Sequence, residues 1–142
     1  MSLPSALATG VVFVWLGMVL AISFLEAPLK FRAPGVTVPI GLGIGRLVFR
    51  ALNVIEAGFA LALLAGVLLG PASGAVVGVA GLAVVVLLLQ LGAVRPRLNS
   101  RTDRVLAGAD APRSGSHLGY VVLEVVKVAA LLTLGIVLLA TA

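Results

Sequence analysis

The sequence predicts an all-α membrane protein: a four-transmembrane-helix bundle with both termini extracytoplasmic and two basic loops cytoplasmic. Of the 142 residues, 61% are hydrophobic and only 11% are charged. Soluble domains are about half apolar and about a quarter charged, so this chain has too little polar surface for a water-soluble domain. The apolar residues also fall into four separate runs, and the basic residues concentrate between alternate runs.

The four predicted spans run from about Ser5 to Leu25, Leu47 to Leu69, Gly74 to Val94 and Leu118 to Ala140. Each has about 20 residues, the number needed to cross roughly 30 Å of hydrocarbon. Together they use most of the chain, which indicates a single domain over residues 1–142. The first run lacks a preceding basic segment and is too long for a secretory signal, so we expect it to remain as a span.

The three loops differ in composition. The segment from Gly70 to Gly74 contains Gly, Pro and Ser and predicts a tight hairpin between spans two and three. The first loop, from Glu26 to Arg46, holds three prolines and four glycines. That composition disfavours regular helix and allows partial re-entry into the membrane surface. The third loop, from Arg95 to His117, is polar and is predicted to be mobile.

Nine of the ten Lys and Arg residues lie at the first and third loops, and the tenth is Lys127 inside the fourth span. By the positive-inside rule these two loops are cytoplasmic and both termini face outward, as in a multi-pass protein of the inner (plasma) membrane. The net charge of +5 therefore indicates membrane topology and contact with anionic lipid headgroups. It does not indicate nucleic-acid binding, because no aromatic platform accompanies the basic residues.

Polar residues inside the spans are the candidate site. A charge at membrane depth costs about 2.5 to 3.5 kcal/mol, so such residues normally pair or line a pathway. Glu124 and Lys127 share one face of the fourth span, and Lys127 lies about 13 Å from its cytoplasmic end. The predicted substrate- or ion-binding residues are Glu26, Glu56, Gln90, Glu124 and Lys127. The predicted cytoplasmic gate consists of Arg46, Arg50, Asn53, His117 and Tyr120.

The leading hypothesis is a protein that binds, and moves, protons or a small cationic solute through a cytoplasm-facing polar cavity. Four helices are few for a solitary carrier, so this hypothesis implies a homodimer. No cofactor, metal or catalytic residue is predicted, because the chain has no cysteine and one histidine, and no serine has a base beside it.

Two alternatives stay open. The chain could be a structural or accessory subunit of a membrane complex, whose polar network only sets helix packing. Glu124 would then neutralise Lys127, and Glu56 would pair with Arg50 or Asn53. The other alternative is a lipid-modifying enzyme that holds Mg²⁺ with Glu26, Glu56 and Glu124.

Gly74, Gly78 and Gly81 give the third span a face of small residues, which allows close approach of another helix. We expect this face to pack within the bundle. The alternative is a seam between two copies of the chain.

Several short motifs resemble the transmembrane protein 205-like group, small four-helix membrane proteins also described as a domain of unknown function. They are Trp15-Leu16-Gly17, Glu26-Ala27-Pro28-Leu29-Lys30-Phe31, Gly45-Arg46-Leu47-Val48-Phe49, Arg95-Pro96-Arg97-Leu98-Asn99 and His117. The resemblance covers most of the chain and implies a four-helix membrane protein without naming an activity. Ala27-Pro28, Phe31 and His117 would be its motif residues, and Glu124 and Lys127 depart from its pattern.

Overall fold

The computed structural model describes residues 1–113 and 115–142. It contains four long helices: α1 (Leu3–Lys30), α2 (Val38–Leu69), α3 (Gly74–Leu106) and α4 (Gly115–Ala140). With 26 to 33 residues each, all four are long and apolar enough to cross a membrane, and the described ranges contain no strand. The predicted all-α, four-helix class is confirmed, and the helices support its assignment as a membrane protein.

Local sequence signals start the first three helices. The side chains of Ser2, Thr37 and Ser73 each accept a hydrogen bond from a backbone N–H three residues later, at the starts of α1, α2 and α3. Prolines follow two of these caps, at Pro4 and Pro39. Proline is tolerated there because the first turn of a helix leaves its N–H groups without intrahelical partners.

The first connection is much shorter than predicted. Helix α1 continues to Lys30 and α2 begins at Val38, so only residues 31–37 are non-helical. The prolines and glycines of the predicted loop are therefore mostly inside helices. Gly41 allows the Phe31 ring to lie directly against α2, because a Cβ at this position would overlap the ring as it is placed. The prediction that the composition from Glu26 to Arg46 disfavours regular helix is wrong. The first half of the third loop, Arg95–Leu106, is helical, and the mobility of this loop stays a prediction.

Two π-helical turns explain how α1 and α3 pass through prolines that sequence rules treat as helix ends. The turns span Leu20–Glu26 and Gln90–Val94, and each is followed within two residues by a proline, Pro28 or Pro96. In each turn a backbone N–H bonds a carbonyl five residues back. The wider turn makes room for the proline ring, which would otherwise clash with the carbonyl four residues earlier.

The four helices form a ring in which α1 contacts α2 and α4, and α3 contacts α4 and α2. Residues at both termini and at the α2–α3 turn line one common cavity, so they share one end of the bundle. Buried apolar residues of all four helices, Trp15, Leu63, Ala83 and Leu131 among them, form a single core. The basic connections lie at the opposite end, where they surround the second cavity described below.

Glycines do bring helices together, but not those predicted. A Cβ on Gly74, Gly78 or Gly81 would meet nothing within 4 Å, so this face of α3 is turned away from the bundle. A Cβ on Gly66 would lie 2.9 Å from the Pro4 carbonyl oxygen, and one on Gly135 would lie 2.7 Å from the Phe13 ring. The expectation that the α3 glycines pack within the bundle is wrong. Close approach occurs at α1–α2 and α1–α4.

Candidate functional site

Four polar residues predicted from the sequence meet inside the bundle. Glu56, Gln90, Glu124 and Lys127 come from α2, α3 and α4, and none is more than 1% exposed. The ammonium of Lys127 contacts Glu56 Oε2, lies 2.6 Å from Glu124 Oε1 and donates to Gln90 Oε1 at 2.8 Å. An ammonium has three N–H donors, and here each faces one oxygen.

Helix α1 completes this network with two residues that the sequence analysis did not select. Trp15 Nε1 donates to Glu56 Oε2 at 2.8 Å, and Ser23 Oγ donates to Glu124 Oε2 at 2.7 Å. Gln90 Nε2 also donates to Glu124 Oε1 at 3.2 Å. We call these six residues, Trp15, Ser23, Glu56, Gln90, Glu124 and Lys127, the buried network. It joins all four helices.

One carboxylate oxygen of the buried network has no partner. Glu56 Oε1 is inaccessible, and within the part of the chain that the structure describes it accepts no hydrogen bond. Two carboxylates also share one ammonium, so the network carries one excess negative charge when both glutamates are ionised. Such a charge is costly in an apolar interior, which favours uptake of a proton or another cation.

A cavity of about 170 Å³ reaches the buried network from the end that carries the basic connections. Ser23 and Glu124 belong to both the network and the cavity wall. The other polar and charged side chains of that wall are Lys30, Arg46, Arg95, Asn99, Arg101, Thr102, His117 and Tyr120. The wall therefore carries four permanent cations and one carboxylate.

The predicted gate residues divide into two groups. Arg46, His117 and Tyr120 line the cavity, with Arg46 paired to Asp103 and bonded to the Asn99 carbonyl. Arg50 and Asn53 instead line an outer groove between α2 and α3, which Arg46 and Arg95 also border. They are six and three residues from Glu56 along the helix, yet Glu56 pairs with Lys127 and Trp15. The predicted pairing of Glu56 with Arg50 or Asn53 is therefore wrong.

Glu26 also lies apart from the buried network. Its carboxylate is 3.6 Å from the Lys30 ammonium, one helical turn later, and it does not line the cavity. The three glutamates proposed as Mg²⁺ ligands thus do not converge. Among the described residues no group of three or more His, Asp or Glu side chains has the arrangement of a metal site.

Trp15 could have been found from the sequence. It is the single tryptophan of the chain and stands in the middle of an apolar span. A buried indole N–H requires an acceptor, and in such a span only a polar side chain of another helix can supply one. Arg95, which lines the cavity, could not have been found in the same way. Nothing in the sequence distinguishes it from the other arginines that set the membrane topology.

Comparison of the chain with family models, curated proteins and solved structures gives no match. The resemblance to the transmembrane protein 205-like group stays a prediction.

Proposed function

We propose that this chain is a proton-binding membrane protein, whose buried network takes up and releases a proton through the cavity. The observation that carries the proposal is the excess of one carboxylate over ammonium groups among fully buried residues. A proton on Glu56 or Glu124 neutralises the network without breaking the contacts of Lys127. The same site with no proton bears a net charge in the membrane interior.

The cavity wall favours a proton over a metal or organic cation. Lys30, Arg46, Arg95 and Arg101 line the entrance, and their positive charge raises the energy of an approaching cation. A proton does not have to cross that wall as a free ion, because hydroxyl and carboxylate groups can pass it between them. Tyr120, Ser23 and Glu124 line the same cavity.

We propose that the protein lies in the plasma membrane, with the cavity open toward the cytoplasm and both termini on the outer side. The basic connections surround the cavity mouth, as the positive-inside rule expects of a cytoplasmic face. Movement of protons across the membrane requires the terminal half of the bundle to open in a second state. We propose that a homodimer supports this change, with the unoccupied glycine face of α3 as its seam.

Infrared difference spectroscopy on detergent-solubilised protein tests proton binding, since a protonated carboxyl has its own C=O band. Titration of the wild type should add one band of a buried carboxyl, distinct from the bands of the exposed carboxyls, and Glu124→Gln or Glu56→Gln should remove or displace it. Glu26→Gln is the matched control, because it deletes the same group outside the network. A wild type whose band is unchanged by both network variants would contradict the proposal.

Proton flux in proteoliposomes then separates a transport site from a static one. We expect flux under an imposed pH gradient, loss of flux in Glu56→Gln and Glu124→Gln, and normal flux in Glu26→Gln. Folding of each variant is checked by circular dichroism. No flux from the wild type under a gradient of either sign would limit the proposal to proton binding.

A second candidate, a structural or accessory subunit, is favoured by one observation: the network links all four helices. This candidate predicts that replacing Glu56, Glu124 and Lys127 together by methionine leaves a stable and fully functional protein, because apolar residues of similar volume can substitute for buried ion pairs. Proton binding predicts a stable protein without the carboxyl band or the flux.

A further inference from the structure

One cation of the cavity wall, Arg95, has neither a carboxylate partner nor an acceptor for two of its N–H groups among the described residues. Lys30 is paired with Glu26, Arg46 with Asp103, and Arg101 donates to the Ala111 carbonyl. No carboxylate of the described residues lies within 4 Å of Arg95. Its Nε and Nη2 atoms are covered by protein and donate to no acceptor within the described ranges.

Two aromatic rings hold the Arg95 guanidinium. Its central carbon lies 4.7 Å from the centre of the Phe49 ring and 4.4 Å from that of Tyr120. The two rings are nearly perpendicular and 5.9 Å apart. Guanidinium groups stack well on aromatic rings, and these contacts fix the orientation of the group without using its N–H donors. An oriented guanidinium without a counter-ion is a group that attracts a carboxylate or a phosphate.

A buried donor without an acceptor costs free energy, about 1 to 3 kcal/mol for each group and more when the group is charged. The protein keeps two such donors at Arg95, beside a cavity rather than inside a solid core. The buried network does not explain them, because its own cation is Lys127. A small anion in the cavity would supply the counter-ion that Arg95 lacks.

The other residues of the cavity wall indicate the chemistry of that ligand. Phe24, Phe31, Leu42, Leu98 and Val121 line the cavity together with the basic groups, so the anionic end of the ligand is accompanied by an apolar part. Cavities of roughly 150 Å³ hold molecules with about six non-hydrogen atoms, such as benzene. This cavity encloses about 170 Å³. The geometry points to a small organic monocarboxylate whose carboxylate binds Arg95 and whose short carbon chain lies against the apolar wall.

Glu124 at the cavity floor opposes this binding only in part. Its Oε1 accepts from Gln90 and lies 2.6 Å from the Lys127 ammonium, and its Oε2 accepts from Ser23. The four cations of the wall outnumber this one carboxylate, and a proton on the network would remove its remaining charge. The monocarboxylate site goes beyond the proton site and is tested separately from it.

Isothermal titration calorimetry with sodium butyrate, on delipidated protein in a neutral detergent at constant ionic strength, tests the inference. Butyrate has six non-hydrogen atoms and should bind saturably. Acetate should bind about tenfold more weakly, because it lacks two methylene groups to bury. Arg95→Gln should weaken butyrate binding at least tenfold, while Arg97→Gln, which removes an exposed charge two residues further along the same helix, should change it less than twofold.

Two further variants keep the test independent of folding defects in Arg95→Gln. Arg95→Lys keeps the charge without the guanidinium and should give intermediate affinity. Phe49→Leu keeps every cavity charge, removes one stacking ring and should weaken binding severalfold. Absence of saturable butyrate binding, or equal effects of the Arg95 and Arg97 changes, would overturn the inference. So would Arg95-dependent binding of phosphatidylglycerol or inorganic phosphate by a protein that does not bind butyrate.

Discussion

The two halves of this bundle are held together by different interactions. In the half nearest the basic connections, α1, α2, α3 and α4 are joined by the buried network and opened by a cavity. In the half nearest the termini, helix contacts are apolar and close, with Gly66 against Pro4 and Gly135 against Phe13, although a second cavity lies between the termini and the α2–α3 turn. Charged contacts can change with protonation, whereas close glycine contacts cannot. The difference separates a half able to respond to protons from a half held together by apolar contacts.

The largest expected difference between the two halves can be measured by introducing methionine at two positions of α4 that are one turn apart. Lys127→Met leaves Glu56 and Glu124 buried without their cation and should cost about 3 to 5 kcal/mol of unfolding free energy near neutral pH. Leu131→Met exchanges residues of similar volume in the buried apolar core and should cost less than about 1.5 kcal/mol. Unfolding in mixed micelles with increasing SDS, followed by circular dichroism, measures both.

The pH dependence of the unfolding free energy gives a second test with the same two variants. Lowering the pH protonates the two carboxylates that Lys127→Met leaves without a cation. The loss of unfolding free energy in this variant, relative to the wild type, should therefore become smaller as the pH falls. The deficit of Leu131→Met should be independent of pH. Equal losses in the two variants at neutral pH would show that the network contributes no more than ordinary core contacts.

The apolar half predicts a smaller effect that depends on position rather than charge. Gly66→Ala places a methyl group 2.9 Å from a backbone oxygen of α1, and the helices must separate to accept it. We expect a loss of about 1 to 3 kcal/mol. Gly78→Ala adds the same methyl group where nothing lies within 4 Å, so the monomer fold should be unchanged.

The dimer seam can be tested with the same control variant. If two copies meet along the glycine face of α3, Gly78→Ala should weaken dimerisation in detergent while leaving the helix content intact. Cross-linking or light scattering against protein concentration measures this. Loss of monomer stability in Gly78→Ala would show that this face packs within the bundle after all.

Only part of the buried network could be predicted from the sequence. The polar face of α4 was predictable because Glu124 and Lys127 are three residues apart, which helical geometry converts directly into proximity. The partner of Glu56 was not, because it depends on how α2 is rotated against α4, and only the packed bundle sets that rotation. Local rules placed Asn53 nearby, but Lys127 and Trp15 are the actual partners, 71 and 41 residues away.

The prolines led to a different kind of wrong prediction, a helix break where the helix continues. The prolines of the first loop, Pro28 among them, predicted a break in the helix by a local rule that is correct for an unbroken α-helix. The π-helical turns before Pro28 and Pro96 remove the steric conflict, so α1 and α3 continue and carry Lys30 and Arg95 to the cavity. Composition alone cannot distinguish a helix that ends at proline from one that widens before it.

Trp15→Phe should give a smaller effect within the polar half. It keeps most of the ring but removes the donor to Glu56 Oε2, and we expect a cost of about 1 to 2 kcal/mol. The same change made in Glu56→Gln should cost less, because the acceptor is then neutral. A double-mutant cycle measures the coupling, and strictly additive losses would indicate that Trp15 contributes by filling space rather than through its hydrogen bond.

The smallest effect distinguishes two arginines that the sequence analysis grouped together. Arg46 joins α2 to the helical segment Arg95–Leu106 through Asp103 and the Asn99 carbonyl, whereas Arg50 lies exposed in the outer groove. Arg50→Gln should change stability by less than about 0.5 kcal/mol, and Arg46→Gln by little more, because its ion pair is partly exposed to solvent. Amide hydrogen exchange separates them: only Arg46→Gln should speed exchange in residues 98–105. Faster exchange there in Arg50→Gln would mean that the outer groove, too, supports the cavity wall.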